Sequence, residues 1–116
     1  MGITHIEGEV SGPAGSVPVR FLVDSGAQYT LLAEKDWKAI GIQAKRTQRF
    51  SLADGTLIER RVSECRISLP QGEGHTPVIL GETGDQPLLG VVTLEELGLI
   101  FNPFKRELQP MNALLI

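Results

Sequence analysis

The sequence predicts an all-β chain with short strands, many turns and one or two short helices. Three observations support this fold class. The 116 residues include 13 Gly and 7 Pro, which leave few stretches long enough for an extended helix. Apolar and β-branched residues concentrate in short segments such as Val17–Val23, and an Asp-Gly pair at 54–55 lies between two others. The length suits one compact domain, so we predict a single domain over residues 1–116.

The first predicted element is a hairpin. Turn-forming residues at 11–16 separate a segment at 8–10 from a strand over 17–23. The last three residues of that strand are apolar on both faces, as in a strand buried in a core. Apolar side chains then recur near helical spacing over 31–40, and Gly41 follows where helices are often capped. This segment therefore predicts a short helix.

A second hairpin is predicted in the middle of the chain. Residues 49–52 and 57–62 have strand composition, and residues 53–56 (Ala-Asp-Gly-Thr) join them. Asp-Gly tolerates the positive φ that a tight turn requires. Period-two alternation over 64–69 predicts a further strand, with its odd-numbered positions facing the core.

The last third of the chain predicts loops and a second helix. Loops are predicted at 71–75 and 81–85, with a strand between them. A helix is predicted over 93–97, with Thr93 as its N-cap and Gly98 at its end. The chain closes on four apolar residues (Ala-Leu-Leu-Ile), a pattern that predicts contact with a partner.

Charge and composition argue against several function classes. The formal net charge is −3 and the basic residues are scattered, so no basic face for nucleic acid is expected. No window has the length and apolarity of a membrane span, and no basic segment with a following apolar run opens the sequence, so we expect a cytoplasmic protein. Cys65 stands alone, and one Cys with two His cannot complete a zinc site, so we expect no disulfide within the chain and no zinc site built by one chain.

Asp24 is the residue that most needs explanation. It follows an apolar strand directly and precedes the turn-forming Ser25 and Gly26, so its carboxyl group is expected to be partly withdrawn from water. Small residues at 25–27 allow close approach of another backbone, and their N–H groups can face a ligand. Taken by itself, such a carboxylate is more simply a turn cap.

Residues 22–27 (Leu-Val-Asp-Ser-Gly-Ala) resemble the motif of the retropepsin-like aspartic proteases, and later features keep the order of that family. The turn at 53–56 lies where the family has the tip of a flexible flap hairpin. Residues 88–90 (Leu-Leu-Gly) precede a predicted helix, as in the family. The resemblance covers roughly residues 5–103 and is nearest to microbial members.

The resemblance implies a small closed or partly open β-barrel of the acid-protease type. It also implies a homodimeric aspartic endopeptidase that acts on peptides or proteins without metal or cofactor. Two identical chains would each bring one Asp24 to a two-fold axis, where the pair activates a water molecule. An extended peptide would bind as an added strand beneath the flap. By resemblance, Asp24 is catalytic, Ser25 supports the dyad across the interface, and the substrate is contacted by Gly26, Ala27, Asp54 and Gly55.

The sequence departs from the retroviral pattern at two positions and leaves two alternatives open. Gln28 and Val91 stand where retroviral members often carry an acidic and a basic residue, so both partners of that ion pair are replaced. The first alternative is an inactive protease-like module that dimerises or binds peptides. The second is an unrelated small β domain in which Asp24 only caps a turn, which predicts a stable monomer.

Overall fold

A computed structural model describes residues 3–24, 26–112 and 115. The chain is 53% strand with two short helices, which confirms the predicted all-β class. The single-domain assignment over residues 1–116 stays a prediction. The helices are α1 (Glu34–Ala39) and α2 (Val91–Glu96), and the strands are β1 (His5–Gly12), β2 (Gly15–Val23), β3 (Thr30–Leu32), β4 (Arg46–Ser51), β5 (Leu57–Leu69), β6 (Gly72–Leu80), β7 (Leu88–Leu89), β8 (Leu99–Asn102) and β9 (Glu107–Pro110).

Seven of the described strands form one sheet, in the order β1-β2-β7-β3-β6-β5-β4. A further pairing of β1 with β5 closes this sheet into a ring, and β4 pairs with β5 outside it. The hairpin of β1 and β2 confirms the first predicted hairpin. Strand β7 pairs in parallel with β2 and antiparallel with β3. The end of β2, where Asp24 follows, therefore lies beside β7 and the chain that leads into α2.

The hydrophobic core fills the inside of the ring. Strand β5 shows how the sequence builds it, because Cys65, Ile67 and Leu69 are buried while Glu64 and Arg66, which alternate with them, are exposed. This alternation confirms the predicted core side of residues 64–69. Burying a large apolar side chain stabilises a fold by about 1.5–3 kcal/mol. The largest fully buried apolar side chains are Phe21, Leu32, Ile40, Ile67, Leu80 and Leu89.

Two predicted boundaries are wrong because long-range strand pairing overrides local pattern. The helix predicted over 31–40 begins only at Glu34, since Thr30–Leu32 pairs in parallel with Val78–Leu80 as β3. The loop predicted at 71–75 is mostly strand, because β6 already begins at residue 72, directly opposite the end of β5. Only a two-residue turn joins β5 to β6. The glycines at the start of β6 have no side chain, so they hide the alternation of apolar and polar residues that would mark a strand.

The second helix also differs from its prediction. Helix α2 begins two residues earlier than predicted, and its N-cap is Gly90 instead of Thr93. Thr93 lies inside the helix with its side chain fully buried. Gly98 follows the helix with φ of 69°, so the predicted end is confirmed. Each described helix has six residues, and none has the length and apolarity that a membrane span requires.

Candidate active site

Asp24 occupies the first position after β2 and is held there by the backbone of its own turn. Its N–H donates to the Leu89 carbonyl at 3.4 Å, and its carbonyl accepts the Ala27 N–H at 3.0 Å. Its carboxylate oxygen Oδ1 accepts the Gly26 N–H at 2.9 Å. A Cβ on Gly26 would lie 3.2 Å from this same oxygen, which favours glycine here. The turn thus fixes the direction of the carboxylate.

The Asp24 carboxylate is exposed in the single chain. The expectation that the chain itself withdraws this group from water is therefore wrong. A strand end that faces outward leaves the carboxylate open to solvent until something else covers it. Ser25 lies outside the described residues, so its predicted role stays a prediction.

The start of α2 is locked to the loop after Asp24. The N–H groups of Val91 and Val92 donate to the carbonyls of Ala27 and Gln28 at 3.0 and 2.9 Å. A Cβ on Gly90 would lie 2.4 Å from the carbonyl carbon of residue 29, so only glycine permits this approach. Backbone hydrogen bonds thus join the segments that an ion pair joins in the retroviral pattern.

Three buried threonine hydroxyls connect this loop with the core. Thr30 Oγ1 accepts the Gly90 N–H at 3.0 Å and lies 2.5 Å from Thr93 Oγ1. Thr93 Oγ1 also lies 2.8 Å from Thr76 Oγ1. All three side chains are almost completely buried, so each hydroxyl depends on its protein partners. Sequence reasoning missed this network, although a polar residue within an apolar strand, such as Thr30, was a possible signal.

A groove of about 570 Å³ opens between the loop after Asp24 and the hairpin of β4 and β5. Gly26 and Ala27, both predicted to contact substrate, form part of its wall. Its volume falls in the range of small ligand sites. The side chains that line it are mostly apolar or uncharged, with Arg49, Arg60 and Asp85 as the charged members; the apolar ones are Leu31, Phe50, Leu52, Ile58, Ile79 and Leu88.

The β4–β5 hairpin confirms the second predicted hairpin, and its tip is a tight turn. Asp54 Oδ1 accepts the Thr56 N–H at 2.8 Å. Hydrogen bonds from the Thr56 side chain and from this N–H lower the pKa of the Asp54 carboxyl group. Gly55 has φ of 87°, as expected for Asp-Gly. Both tip residues are exposed and lie apart from the groove, whose wall on this hairpin comes from residues 48–52 with Ile58 and Arg60. Their predicted contact with substrate stays a prediction.

Tyr29 ties the β4–β5 hairpin to the loop after Asp24. Its ring packs edge-on against Phe50, with centroids 5.4 Å apart, and its hydroxyl donates to Gln48 Oε1 at 3.4 Å. The Arg46 guanidinium lies 5.9 Å from the same ring and donates to its hydroxyl at 3.2 Å. Sequence analysis assigned Tyr29 no role. Its position in the loop that follows Asp24 was the available signal.

Among the described residues there is neither a metal site nor a reactive thiol. Within residues 3–24 and 26–112, no three His, Cys, Asp or Glu side chains are arranged to hold a metal ion. Burial raises the pKa of the Cys65 thiol to about 12, so this thiol is not a nucleophile at neutral pH. The carboxylate of Asp24 is the ionisable group that the loop geometry orients.

Comparison with known protein families gives one match. The model of a family described as aspartyl protease matches residues 6–92, about three quarters of the chain. The matched range begins in β1 and ends within α2, so it includes Asp24, the β4–β5 hairpin and Gly90. The hairpin of β8 and β9 lies beyond it. Among curated proteins, no sequence matches significantly.

Proposed function

The chain belongs to the aspartyl protease family, and from this membership we propose that two copies form an endopeptidase whose paired Asp24 carboxylates hydrolyse peptide bonds. The observation that carries the proposal is the Asp24 carboxylate itself. It is exposed at the end of a core strand, oriented by the Gly26 N–H, and adjacent to a groove of about 570 Å³.

A second copy supplies what one chain lacks. Hydrolysis by this chemistry needs two carboxylates, and the sequence carries the Asp-Ser-Gly motif once. An isologous dimer brings the same residue of both copies to its two-fold axis. Two carboxylates about 3 Å apart cannot both be ionised and therefore share one proton.

The two Asp24 residues take opposite roles in the reaction. The ionised carboxylate accepts a proton from a water molecule, whose oxygen forms a bond to the peptide carbonyl carbon. The protonated carboxyl group donates its proton to the carbonyl oxygen, which gives a neutral tetrahedral intermediate. When the C–N bond breaks, the leaving nitrogen takes a proton from one carboxyl group of the dyad, and a hydroxyl of the intermediate gives its proton to the other carboxylate as the carbonyl re-forms, so that the dyad again holds one proton. The Gly26 N–H holds one carboxylate oxygen in place throughout.

The peptide would bind in the groove as an extended strand. Its backbone would pair with the N–H and carbonyl groups around Gly26 and Ala27, while alternate side chains enter the apolar floor. The β4–β5 hairpin, with Asp54 and Gly55 at its tip, would cover the peptide and exclude water. Ser25 would fix the relative position of the two Asp24 loops.

Peptide cleavage by the purified protein tests the proposal. Cleavage of a peptide mixture is measured from acidic to neutral pH, with and without a statine-type inhibitor that mimics the tetrahedral intermediate. Asp24→Asn should retain fold and oligomeric state and lose at least about a hundredfold in rate, the usual contribution of one acid–base group. Glu9→Gln, which neutralises an exposed carboxylate on β1, is the matched control and should cleave like the parent.

The outcomes separate the alternatives. Undiminished cleavage by Asp24→Asn overturns the proposal. A parent protein that forms dimers and captures peptides without any product supports the inactive binding module instead. A stable monomer, with Asp24→Asn indistinguishable from it, supports the unrelated β domain.

A further inference from the structure

One face of the β4–β5 hairpin forms a wall of the groove beside the Asp24 loop. In the register of this hairpin, Gln48 lies opposite Arg60, and Phe50 lies opposite Ile58. Directly opposed residues of an antiparallel pair share a face of the sheet, and all four residues line the groove. Arg60 is the charged member of these four, so this wall presents a guanidinium among uncharged neighbours.

The Arg60 guanidinium has N–H groups available for a ligand. The side chain is 27% exposed, so most of it is withdrawn from water. A guanidinium carries five N–H groups. Among the described residues, its one hydrogen bond runs from Nη1 to the Glu59 carbonyl at 3.2 Å. The other nitrogens are accessible, because the described part of the chain has no buried side-chain nitrogen or oxygen without a hydrogen-bond partner.

One acidic side chain contacts Arg60, and it neutralises the guanidinium only weakly. Glu82 Oε2 lies 3.5 Å from Arg60 Nη1, which is longer than a charge-assisted hydrogen bond. The Glu82 side chain is 61% exposed and does not line the groove. Exposed ion pairs of this kind contribute little. A carboxylate that enters the groove can therefore take the place of Glu82 as the partner of Arg60.

The other two charged residues of the groove wall are less well placed to bind a ligand. Asp85 Oδ2 accepts the Glu82 N–H at 2.8 Å, so the turn of its own loop already uses one carboxylate oxygen. Arg49 follows Gln48 in β4, and strand alternation therefore places it on the opposite face from Gln48 and Phe50. Arg60 is thus the cation that shares a face with the apolar part of the wall.

We propose that Arg60 is a specificity-determining residue, which selects peptides with an aspartate or glutamate side chain at the position that faces it. An extended peptide sends alternate side chains toward this wall. A carboxylate on one of them accepts two parallel hydrogen bonds from the guanidinium, the geometry in which arginine binds carboxylates best. Phe50 and Ile58 beside it limit access of water, which strengthens the ion pair. The inference rests on the proposed function for its peptide ligand.

Binding of labelled peptide pools to Asp24→Asn tests this site apart from cleavage. Each pool contains short fluorescein-labelled peptides of uncharged residues with Glu fixed at one position, and its twin pool has Gln there. Glu and Gln have nearly the same shape, so the difference in affinity measured by fluorescence anisotropy reports the charge. At one or more positions the Glu pool should bind about tenfold more tightly, as expected for a hydrogen-bonded charged pair.

Variants of the same protein assign the preference to Arg60. Arg60→Gln should abolish it, and Arg60→Glu should reverse it in favour of pools with Lys at that position. Glu82→Gln removes the competing carboxylate and should increase the preference. Arg61→Gln is the matched control, because it removes the same charge from the next residue of β5. The exposed Arg61 guanidinium lies over the Trp37 ring at 5.3 Å, on the opposite face of the strand, so the preference should not change.

The outcomes separate this inference from the proposed function. Equal binding of Glu and Gln pools at every position overturns the inference, as does a preference that survives Arg60→Gln. The pools are also incubated with the parent protein, and products are identified by mass spectrometry. Cleavage without any acidic preference overturns the inference and leaves the proposed function standing. A preference in binding that depends on Arg60, without cleavage by the parent, supports the carboxylate site and overturns the proposed endopeptidase.

Discussion

Thr93→Val removes one hydroxyl from the centre of the buried threonine network and keeps the shape of the side chain. In the parent, Thr93 Oγ1 lies 2.5 Å from Thr30 Oγ1 and 2.8 Å from Thr76 Oγ1. Thr76 can still donate to the Pro77 carbonyl at 3.3 Å. Thr30 keeps the N–H of Gly90 as a donor but loses its neighbouring hydroxyl in a fully buried place.

The expected cost follows from these contacts. Each lost hydrogen bond contributes about 0.5–1.5 kcal/mol, and a buried O–H donor left without an acceptor costs about 1–3 kcal/mol. Since these contributions overlap, we expect the free energy of unfolding to fall by about 2–4 kcal/mol. This is a large part of the roughly 5–15 kcal/mol that stabilises a typical domain.

Urea unfolding, followed by the fluorescence of Trp37, measures this loss. Trp37 is the one tryptophan of the sequence and is buried against the core. Protein concentration must be held constant, because dimerisation would shift the midpoint. Thr83→Val is the control, since the Thr83 hydroxyl is exposed and only reaches Glu34 at 3.3 Å, so a change within about 0.5 kcal/mol is expected. A loss for Thr93→Val no larger than this would refute the reasoning.

Three further predictions follow from individual side chains. Burial raises the pKa of Asp36, so the folded state binds the carboxyl proton more tightly than the unfolded state, and the free energy of unfolding falls as pH rises. The urea midpoint of Asp36→Asn should therefore increase relative to that of the parent between about pH 3 and pH 7. A difference between the two midpoints that does not change with pH would contradict this. Cys65 has its pKa raised to about 12 by burial, so a thiol reagent should react only after unfolding; rapid reaction of the native protein would disprove it. Tyr29→Phe keeps the ring contact with Phe50 and removes the hydrogen bond to Gln48. The KM for peptide should rise, and the backbone amides of the β4–β5 hairpin should exchange hydrogen with solvent faster. Unchanged hydrogen exchange would show that the Tyr29 hydroxyl does not hold the hairpin.

Local chemistry explains which parts of the fold the sequence could predict. The Asp-Gly turn at 54–55 specifies a hairpin within a few residues, and alternation at 64–69 specifies which side of β5 is buried. By contrast, the local pattern around Leu31 and Leu32 fits a helix as well as it fits a strand. They become a strand because β6 and β7 lie on either side of them, and those strands are more than 40 residues away in the sequence.

The same distinction applies to the candidate site. The turn at Asp24 is a local feature, and its sequence motif marks it. The hydroxyls of Thr30 and Thr93 meet across 63 residues of sequence, and Tyr29 meets Gln48 across 19. A capping role for Thr93 was the reasonable local prediction, because threonine before acidic residues commonly starts a helix. In the structure its hydroxyl instead contacts the buried hydroxyls of Thr30 and Thr76.

The exposure of Asp24 has a consequence for the proposed paired carboxylates. The chain's own hydrogen bonds orient the carboxylate but leave it in water, where a nearby charge has little influence because the dielectric constant is high. Two carboxylates share a proton strongly only where solvent is excluded. If a second copy covers the Asp24 loop in the proposed dimer, the contact between the copies removes this water. Dimerisation would then assemble the pair and supply the environment in which its chemistry works.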